Sequence, residues 1–517
     1  MIIFLPVAFL FATSLTLLIV NIFRPKFRFN WIIGTLGAFC SVISIFFWQL
    51  KMPVRISLPA WRPEMIFPIT PGWVADDYSW VYAICLATLA LAVISTAAIR
   101  KLSRSINWAA ILFITAIGLL AVTSQNLTSV VLTWIGLDLT ELIFSLYSNR
   151  GDKSEEIVIS FVIRLGGVLL ITWSSIFSVN QGSLMDLSFI PSGAGILIYL
   201  AIVFRLGIIP FHLPKKDEER NRGVITAFRL VSAGSALSLL PRISAMSFPS
   251  NYQPYVLMAA GLFSIAGSLL WLLSPDGFSG RSYWILSLSA LAFSATLIGN
   301  LNGSVSWSIT LILAGGLIFI YSHRNRRNLW LPLFGLIGFS TLPFSATASV
   351  WSNQLTSNPI ALFPQAISFS LLISGYIKHA LLSNGTTDHN SEPGWITTIY
   401  TFGLFSFPIL LIILGLWGWQ GARIINIWWL CGGAIAFSIV VFGIVKRQTE
   451  NLDRFQIRSS QIHSNLLSNT FWTIYHGFRR LIQLISSILE GDAGILWSIV
   501  LMVLIISLFL QIIPGTP

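Results

Sequence analysis

Charged residues are scarce in this sequence. Asp, Glu, Lys and Arg make up 10% of the 517 residues and 55% are hydrophobic, a composition that excludes an ordinary soluble protein. The cysteines Cys40, Cys85 and Cys431 stand apart in apolar runs, with no CxxC or Cys/His cluster. No metal site, iron–sulfur cluster or disulfide framework is therefore expected.

Motifs of soluble-type catalysis are also missing. The sequence has no Walker loop, dinucleotide fingerprint, nucleophile elbow or zinc motif. We therefore expect no cofactor and no catalytic site of the chain's own. The net charge of +12 is interpreted as Lys and Arg on the cytoplasmic side, where they are attracted to anionic lipid. Nucleic acid is therefore not an expected partner.

Long apolar runs dominate what is present. Each is about as long as a helix needs to cross the hydrocarbon core of a bilayer. They predict an all-α polytopic membrane protein with about 14–16 transmembrane helices. The predicted spans are 2–22, 31–49, 79–99, 107–123, 126–147, 156–177, 194–212, 223–242, 254–273, 283–299, 304–322, 330–345, 360–383, 397–419, 427–445 and 494–513.

The basic residues indicate an orientation. With the N-terminus extracytoplasmic, most connecting Lys and Arg residues fall on the cytoplasmic side, as the positive-inside rule requires. The first run lacks a basic leader and a small-residue cleavage site, so it is interpreted as a retained helix rather than a signal peptide. No transit peptide is recognised, and a bacterial inner membrane is the default expectation, with an organellar membrane left open.

Two connecting segments have patterns of their own. In 50–78, apolar and polar residues alternate between prolines, which predicts a small extracytoplasmic hairpin. In 466–489, an apolar stripe at helical spacing predicts an amphipathic helix on the cytoplasmic surface, before a last span. The predicted organisation is N-terminal helices in 1–125, a first repeat in 126–273, a second repeat and further helices in 274–445, and this appendage in 446–517.

Ionisable residues inside predicted spans are the candidates for function, because charge in a bilayer is costly. Asp138 and Glu141 lie three residues apart and so share a helical face. Either they exchange protons within the membrane, or they reach an interface or satisfy a neighbouring polar group. Arg205 precedes Pro210, which predicts a broken helix that can line a wet cavity. The alternative is an ordinary kink, with Arg205 in a structural ion pair.

Three further cations complete the set taken from the residues themselves. Arg164 and Arg229 are interpreted as structural ion-pair partners rather than proton carriers, because a guanidinium hardly deprotonates. Lys378, near the cytoplasmic end of its span, is kept as an ion-path candidate, with snorkelling to the interface as the alternative.

Four short segments occur in a characteristic order. They are WIGLDL at 134–139, IRLGGVLL at 163–170, RLGIIPFHLP at 205–214 and VSAGSALSLLPRI at 231–243. Together with the long tail, they resemble the antiporter-like membrane subunits of respiratory complex I (NADH:quinone oxidoreductase), its largest subunit type above all, and of the multisubunit cation/proton antiporters.

The resemblance implies two inverted five-helix repeats, each with a broken helix, and a polar axis along the bilayer midplane. In that family, proton movement is coupled to redox chemistry elsewhere or to exchange of another ion. The expected partners are thus other membrane subunits, the lipid bilayer, and protons or monovalent cations. The Pro-Phe-His signature adds His212 to the ion-path candidates.

The sequence departs from the family pattern in ways that matter. The first half keeps charge, with Asp138 for the family's glutamate and Arg205 for its lysine. The family's eighth-helix histidine falls at Thr226, and neutral residues fill the segments 308–322 and 342–351, where later charges are expected. We therefore expect an antiporter-like subunit with an impaired ion path. The alternatives are a non-conducting structural or coupling subunit, or the membrane partner of an inorganic-carbon uptake complex.

Overall fold

The computed structural model describes residues 2–24, 29–58, 70–97, 105–148, 154–180, 186–207, 222–243, 248–321, 330–351, 359–381, 394–418 and 428–447. Residues Met1–Arg447 form one compact unit. The predicted amphipathic helix at 466–489 and the last span at 494–513 lie outside the described residues.

Helices make up almost all of the described structure. They are α1 Phe4–Phe23, α2 Asn30–Phe46, α3 Asp77–Ala97, α4 Ser105–Val122, α5 Leu127–Ser148, α6 Ser154–Asn180, α7 Ser192–Arg205, α8 Arg222–Leu237, α9 Gln253–Leu273, α10 Arg281–Leu297, α11 Leu301–Ile320, α12 Trp330–Phe339, α13 Pro359–Leu381, α14 Gly394–Ile413 and α15 Trp428–Arg447. Within the described ranges, ten helices are long and apolar enough to span a membrane. The predicted all-α polytopic membrane fold is confirmed.

Two short strands lie in the connection between α2 and α3. Strand β1 (Val54–Ser57) pairs antiparallel with β2 (Gly72–Ala75), in the segment for which the alternating pattern predicts a hairpin. Asp76 follows β2 directly and caps α3. Its Oδ1 accepts a hydrogen bond from the Ser79 amide at 2.8 Å, and its own amide donates to the Ser79 hydroxyl at 2.7 Å. This reciprocal arrangement satisfies backbone donors that the first helical turn would otherwise leave open.

Helices α3 and α11 form the centre of the fold. Helix α3 packs against α2, α4, α8, α11 and α14, and α11 packs against α8, α10 and α12. The 18-residue apolar stretch of α11 is completely buried, and 94% of the corresponding stretch of α3 is buried. Asn300 begins α11 by accepting from the Gly303 amide at 2.9 Å. Peripheral helices such as α1 and α9 instead expose large apolar side chains, as expected of a lipid-facing surface.

Two helices end earlier than the apolar runs predict. The predicted span 194–212 is helical only to Arg205, because Gly207 adopts φ +69°, the left-handed conformation that commonly ends a helix. The predicted span 330–345 is helical only to Phe339. Beyond it, Thr341 and Phe344 have positive φ, and the Thr341 amide donates to Thr347 Oγ1 at 3.0 Å. Residues 340–345, at the end of the second run, are not helical, whereas residues 208–212 of the first run lie outside the described residues.

Candidate functional site

A cluster of paired charges lies between three consecutive helices. Helix α5 packs on α6, and α6 packs on α7. The spacing of three residues puts Asp138 and Glu141 on the same side of α5, while α6 supplies Arg164 and α7 ends in Arg205. Four of the sequence-predicted residues are thus brought together inside the helical bundle.

Asp138 and Arg205 form the more deeply buried pair. Arg205 Nη1 lies 3.1 Å from Asp138 Oδ2, and the two side chains are 0% and 2% exposed. The guanidinium also lies over the ring of Trp134, 4.5 Å from its centroid. Trp134 precedes Asp138 by one helical turn, so the same face of α5 supplies both the carboxylate and the aromatic ring.

Glu141 and Arg164 form the second pair, with both oxygens engaged. Arg164 Nη2 donates to Glu141 Oε1 at 2.6 Å, and Nη1 contacts Oε2. Arg164 Nη2 also lies 3.1 Å from Ser160 Oγ, one turn earlier on α6. Such two-point contact is the strong form of an arginine–carboxylate pair. The interpretation of Arg164 as an ion-pair partner agrees with this geometry.

Arg229 on α8 acts on the same cluster through space. Arg229 and Arg205 both interact electrostatically with the Glu141 carboxylate. Arg164 interacts in the same way with the Asp138 carboxylate. The two ion pairs, Asp138 with Arg205 and Glu141 with Arg164, therefore form one electrostatic unit. At a low effective dielectric, a change of charge on any member is felt by the others.

Lys378, another candidate predicted from the sequence, lies at a different place, at the end of α9. Lys378 Nζ donates to the carbonyl oxygens of Leu272 at 2.9 Å and Ser274 at 3.0 Å, at the C-terminal end of α9. There a cation complements the negative end of the helix. The neighbouring His379 is buried, and its Nε2 lies 2.9 Å from the Trp271 carbonyl oxygen. His212 lies outside the described residues.

The second half of the fold has aromatic rings where the resemblance leads us to expect charges. Ring centroids lie 5.6 Å apart for Phe339 and Phe369, and 5.8 Å for the contacts of Phe369 with Trp307 and Trp351. Trp307 on α11 is fully buried. Edge-to-face packing of this kind fills space with apolar surface. Polar groups here are hydroxyls, such as the Ser306–Ser349 contact at 2.8 Å.

Sequence reasoning missed two features of these sites. The position of Trp134 against Arg205 could have been found from its spacing of four residues to Asp138. The contact of Arg242 Nη2 with Asp76 Oδ1, at 3.2 Å, joins residues 166 positions apart, and no local pattern predicts it. That contact ties the start of α3 to the segment after α8.

These features define a class: a polytopic helical membrane protein with paired charges buried among its helices. No family model matches the chain. A sequence comparison finds NADH-quinone oxidoreductase subunit N 2 of Acidobacterium capsulatum, 25% identical over 251 residues, covering 44% of this chain and 47% of that protein. The chain thus spans about half the length of the curated relative it matches.

Solved structures with the same fold are membrane-complex subunits. A subunit of the Mrp complex from Dietzia sp. has a TM-score of 0.73 at 13% identity, covering 100% of this chain and 64% of the other. A chain of the membrane-bound sulfane sulfur reductase, an archaeal respiratory membrane complex, has a TM-score of 0.67 at 14% identity, covering 98% and 100%. For a chain of respiratory complex I from Thermus thermophilus the TM-score is 0.58, at 17% identity and coverage of 80% and 97%.

The resemblance inferred from the four sequence segments is therefore confirmed. The chain has distant sequence similarity to NADH-quinone oxidoreductase subunit N 2, and its fold is that of chains of the Mrp complex and of respiratory complex I. It is an integral membrane protein whose relatives are subunits of larger assemblies.

Proposed function

We propose that this chain is an antiporter-like membrane subunit of a proton- or cation-translocating complex. The observation that carries the proposal is the Asp138–Arg205 pair, almost fully buried between α5 and α7. Two charges inside a membrane protein are retained at a desolvation cost that apolar residues would not incur. Together with Glu141 and Arg164, they provide carboxylates whose charge state can be coupled to neighbouring guanidiniums.

The proposed ion path is confined to the first half of the fold. The arginine at position 205 does not hand on a proton, so we assign it the role of positioning Asp138 and of stabilising its charged form between exchanges. Asp138 is then the group that exchanges the ion. Glu141 and Arg164 act as the electrostatic neighbour that responds when Asp138 changes charge.

Replacing Asp138 by Asn in the assembled complex tests this proposal. The side chain keeps its size and loses its charge, so we expect ion transport coupled to the complex to fall strongly while the complex still assembles. Asp186→Asn is the matched control, because Asp186 lies in the connection between α6 and α7, outside the cluster. Unchanged transport and coupling in Asp138→Asn would remove Asp138 from the mechanism.

A non-conducting structural or coupling subunit is the second candidate. The specific observation in its favour is the packing of Phe369 against Phe339 and Trp351, a cluster of apolar rings in the second half. On this alternative the paired charges fix helix positions and transmit movement between neighbouring subunits. Asp138→Asn would then reduce assembly or coupling without a separate loss of ion flux. The third alternative, the membrane partner of an inorganic-carbon uptake complex, makes the partner subunits found on purification the deciding observation.

The proposed setting is a bacterial inner membrane with the N-terminus extracytoplasmic. The β1–β2 hairpin then lies on the extracytoplasmic side of the membrane. A single cysteine at Arg55, which is exposed on β1, should react with a membrane-impermeant maleimide in intact cells. The native Cys40 is exposed and has to be replaced first. Labelling of Arg55→Cys only after the membrane is opened would reverse the orientation.

A further inference from the structure

Buried polar atoms around Arg205 are left open by the described residues. Arg205 uses Nη1 for Asp138, but its Nε and Nη2 have no hydrogen-bond partner among the residues described. The same holds for Trp134 Nε1 and Asp138 Oδ1. Counted over backbone and side chain together, Arg205 is 4% exposed, Asp138 3% and Trp134 0%. Buried polar atoms are nearly always satisfied, so these atoms call for an occupant.

The open atoms of Arg205 have a particular arrangement. Nε and Nη2 lie side by side on one edge of the guanidinium, and their N–H bonds point the same way. This edge matches two oxygens of a planar oxyanion, which it can bind through two parallel hydrogen bonds. A lysine in the same place would offer a point charge without this edge.

The open atoms of the site favour an anion. Arg164 and Arg205 are each paired with a carboxylate, Glu141 and Asp138, so the chemistry of the open atoms rather than an excess of charge selects the ligand. Three of the four open atoms are donors. A cation or a hydronium ion beside Arg205 would meet repulsion and would leave those donors unsatisfied.

We propose that Trp134, Asp138 and Arg205 form a binding site for a small planar monovalent oxyanion. The Arg205 edge binds two of its oxygens, and the Trp134 indole N–H is a third donor in the same neighbourhood. An oxyanion that carries a hydroxyl, as bicarbonate does, can in addition donate to Asp138 Oδ1. This inference goes beyond the proposed function, because binding occurs at the site whether or not the chain moves protons.

Binding can be measured on the purified full-length protein in a neutral detergent. The probes are the sodium salts of formate, nitrate and bicarbonate, with sodium chloride at matched ionic strength as the reference. Thermal unfolding should shift upward and saturate with the planar oxyanions beyond the shift seen with chloride, because ligands of the folded state stabilise it. With ¹³C-formate, the carboxylate infrared bands should shift on binding and report contact with the guanidinium.

Arg205→Lys keeps the charge and removes the edge. We expect formate binding to weaken at least about tenfold, as loss of hydrogen bonds to a charged group implies. Arg242→Lys is the matched control, since Arg242 is also an arginine paired with a carboxylate, Asp76, and only 7% of its side chain is exposed. It should leave formate binding unchanged.

Two further substitutions act through the other atoms of the site. Trp134→Phe keeps an aromatic face on Arg205 and removes the indole donor, so binding should weaken. Trp80→Phe is its control, because the Trp80 indole donates to the Ile45 carbonyl at 3.1 Å, away from the site. Asp138→Asn removes a negative charge and should strengthen nitrate and formate binding, the opposite of what a proton or cation site predicts.

The results separate the possible occupants. Saturable binding of planar oxyanions that Arg205→Lys weakens supports the proposal. Equal shifts with chloride and formate mean that the open atoms hold water, and the proposal fails. It also fails if the response follows the cation, or if Arg205→Lys binds as well as the wild type. Should Arg205→Lys not fold, Trp134→Phe against Trp80→Phe decides the matter. Because these experiments measure binding and not transport, failure of the oxyanion proposal leaves the proposed function standing. Failure of the proposed function in the transport assay likewise leaves the oxyanion proposal standing.

Discussion

The Glu141–Arg164 pair gives the sharpest quantitative prediction. Its side chains are 14% and 8% exposed, so solvent screens the pair weakly. Removing one partner of such a buried pair leaves an uncompensated charge, at a cost of about 3–5 kcal/mol. Two unit charges about 4 Å apart at an effective dielectric near 20 interact by about 4 kcal/mol, which agrees with that range.

The surroundings make the two halves of this pair unequal. Glu141→Gln leaves Arg164, Arg205 and Arg229 with only the Asp138 carboxylate among the cluster members. Arg164→Met leaves Glu141 within electrostatic reach of Arg229 and Arg205. We therefore expect Glu141→Gln to destabilise the protein more than Arg164→Met does. The double variant should be less destabilised than the sum of the single variants by about 3 kcal/mol.

Reversible unfolding in mixed micelles, followed by far-ultraviolet circular dichroism as the denaturing detergent increases, measures these free energies. Arg55→Gln is the control, because Arg55 is exposed on β1, and its effect should stay within about 0.5 kcal/mol. Additive single effects would refute the reasoning that the pair acts as a unit. A larger cost for Arg164→Met than for Glu141→Gln would refute the role given to the other guanidiniums.

Three further predictions use the same assay. Burial alone would raise the pKa of Asp76, but the Arg242 guanidinium and hydrogen bonds from Ser79 outweigh it and hold that pKa below its ordinary value of 3.8. The stability that Asp76 contributes is thus present above pH 3.8 and lost as the pH falls through the lowered pKa, and Asp76→Asn should flatten this acid limb. Gly267→Ala should cost about 1–3 kcal/mol, because its Cβ would lie 2.9 Å from a backbone nitrogen of α10, whereas Gly432→Ala has open space and should cost nothing. Phe369→Ala should cost about 3–5 kcal/mol by opening a cavity in the fully buried aromatic cluster, and a cost below about 1 kcal/mol would mean that the cluster is loosely packed.

Most helices could be predicted because each corresponds to a long apolar run in the sequence, with a residue typical of a helix end, such as proline in the first turn, at its boundary. Helix α3 was predicted at 79–99 and spans Asp77–Ala97, and α9 was predicted at 254–273 and spans Gln253–Leu273. Pro254 fits the first turn of α9 because that position needs no amide donor. In such places composition and capping agree, and the boundaries follow.

The helix ends at Arg205 and Phe339 could not be read from hydropathy. Both runs stay apolar beyond the end, and the change is in backbone conformation, at Gly207 in one case and at Thr341 and Phe344 in the other. At Thr341 the conformation is accompanied by a hydrogen bond within the loop, from its amide to Thr347 Oγ1. Hydropathy has no information about such conformations.

The candidate site was predictable as a set of residues but not as a geometry. Charges in apolar spans identify Asp138, Glu141, Arg164 and Arg205 by themselves. The sequence favours Asp138 and Arg205 as a central pair, whereas the partner of Glu141 depends on how α5, α6 and α7 are rotated against one another. The structure selects Asp138 with Arg205 and Glu141 with Arg164. Lys378 shared the same sequence signal and yet lies at the end of α9.

The burial of α11 has a consequence for how the protein is made. Its apolar stretch is wholly enclosed by other helices, yet its mean hydropathy of 1.8 lies between that of α6 (1.7) and those of α1 and α9 (2.1), helices whose apolar stretches are less than half buried. During synthesis the segment has to partition from the insertion machinery into the bilayer before its neighbours are assembled around it, and each polar residue makes that transfer less favourable. Serines at positions 304, 306 and 308 bring α11 nearer to the limit for insertion. Its remaining hydrophobicity therefore serves biogenesis rather than its final surroundings, and a charged substitution there would first reduce the yield of correctly threaded chains.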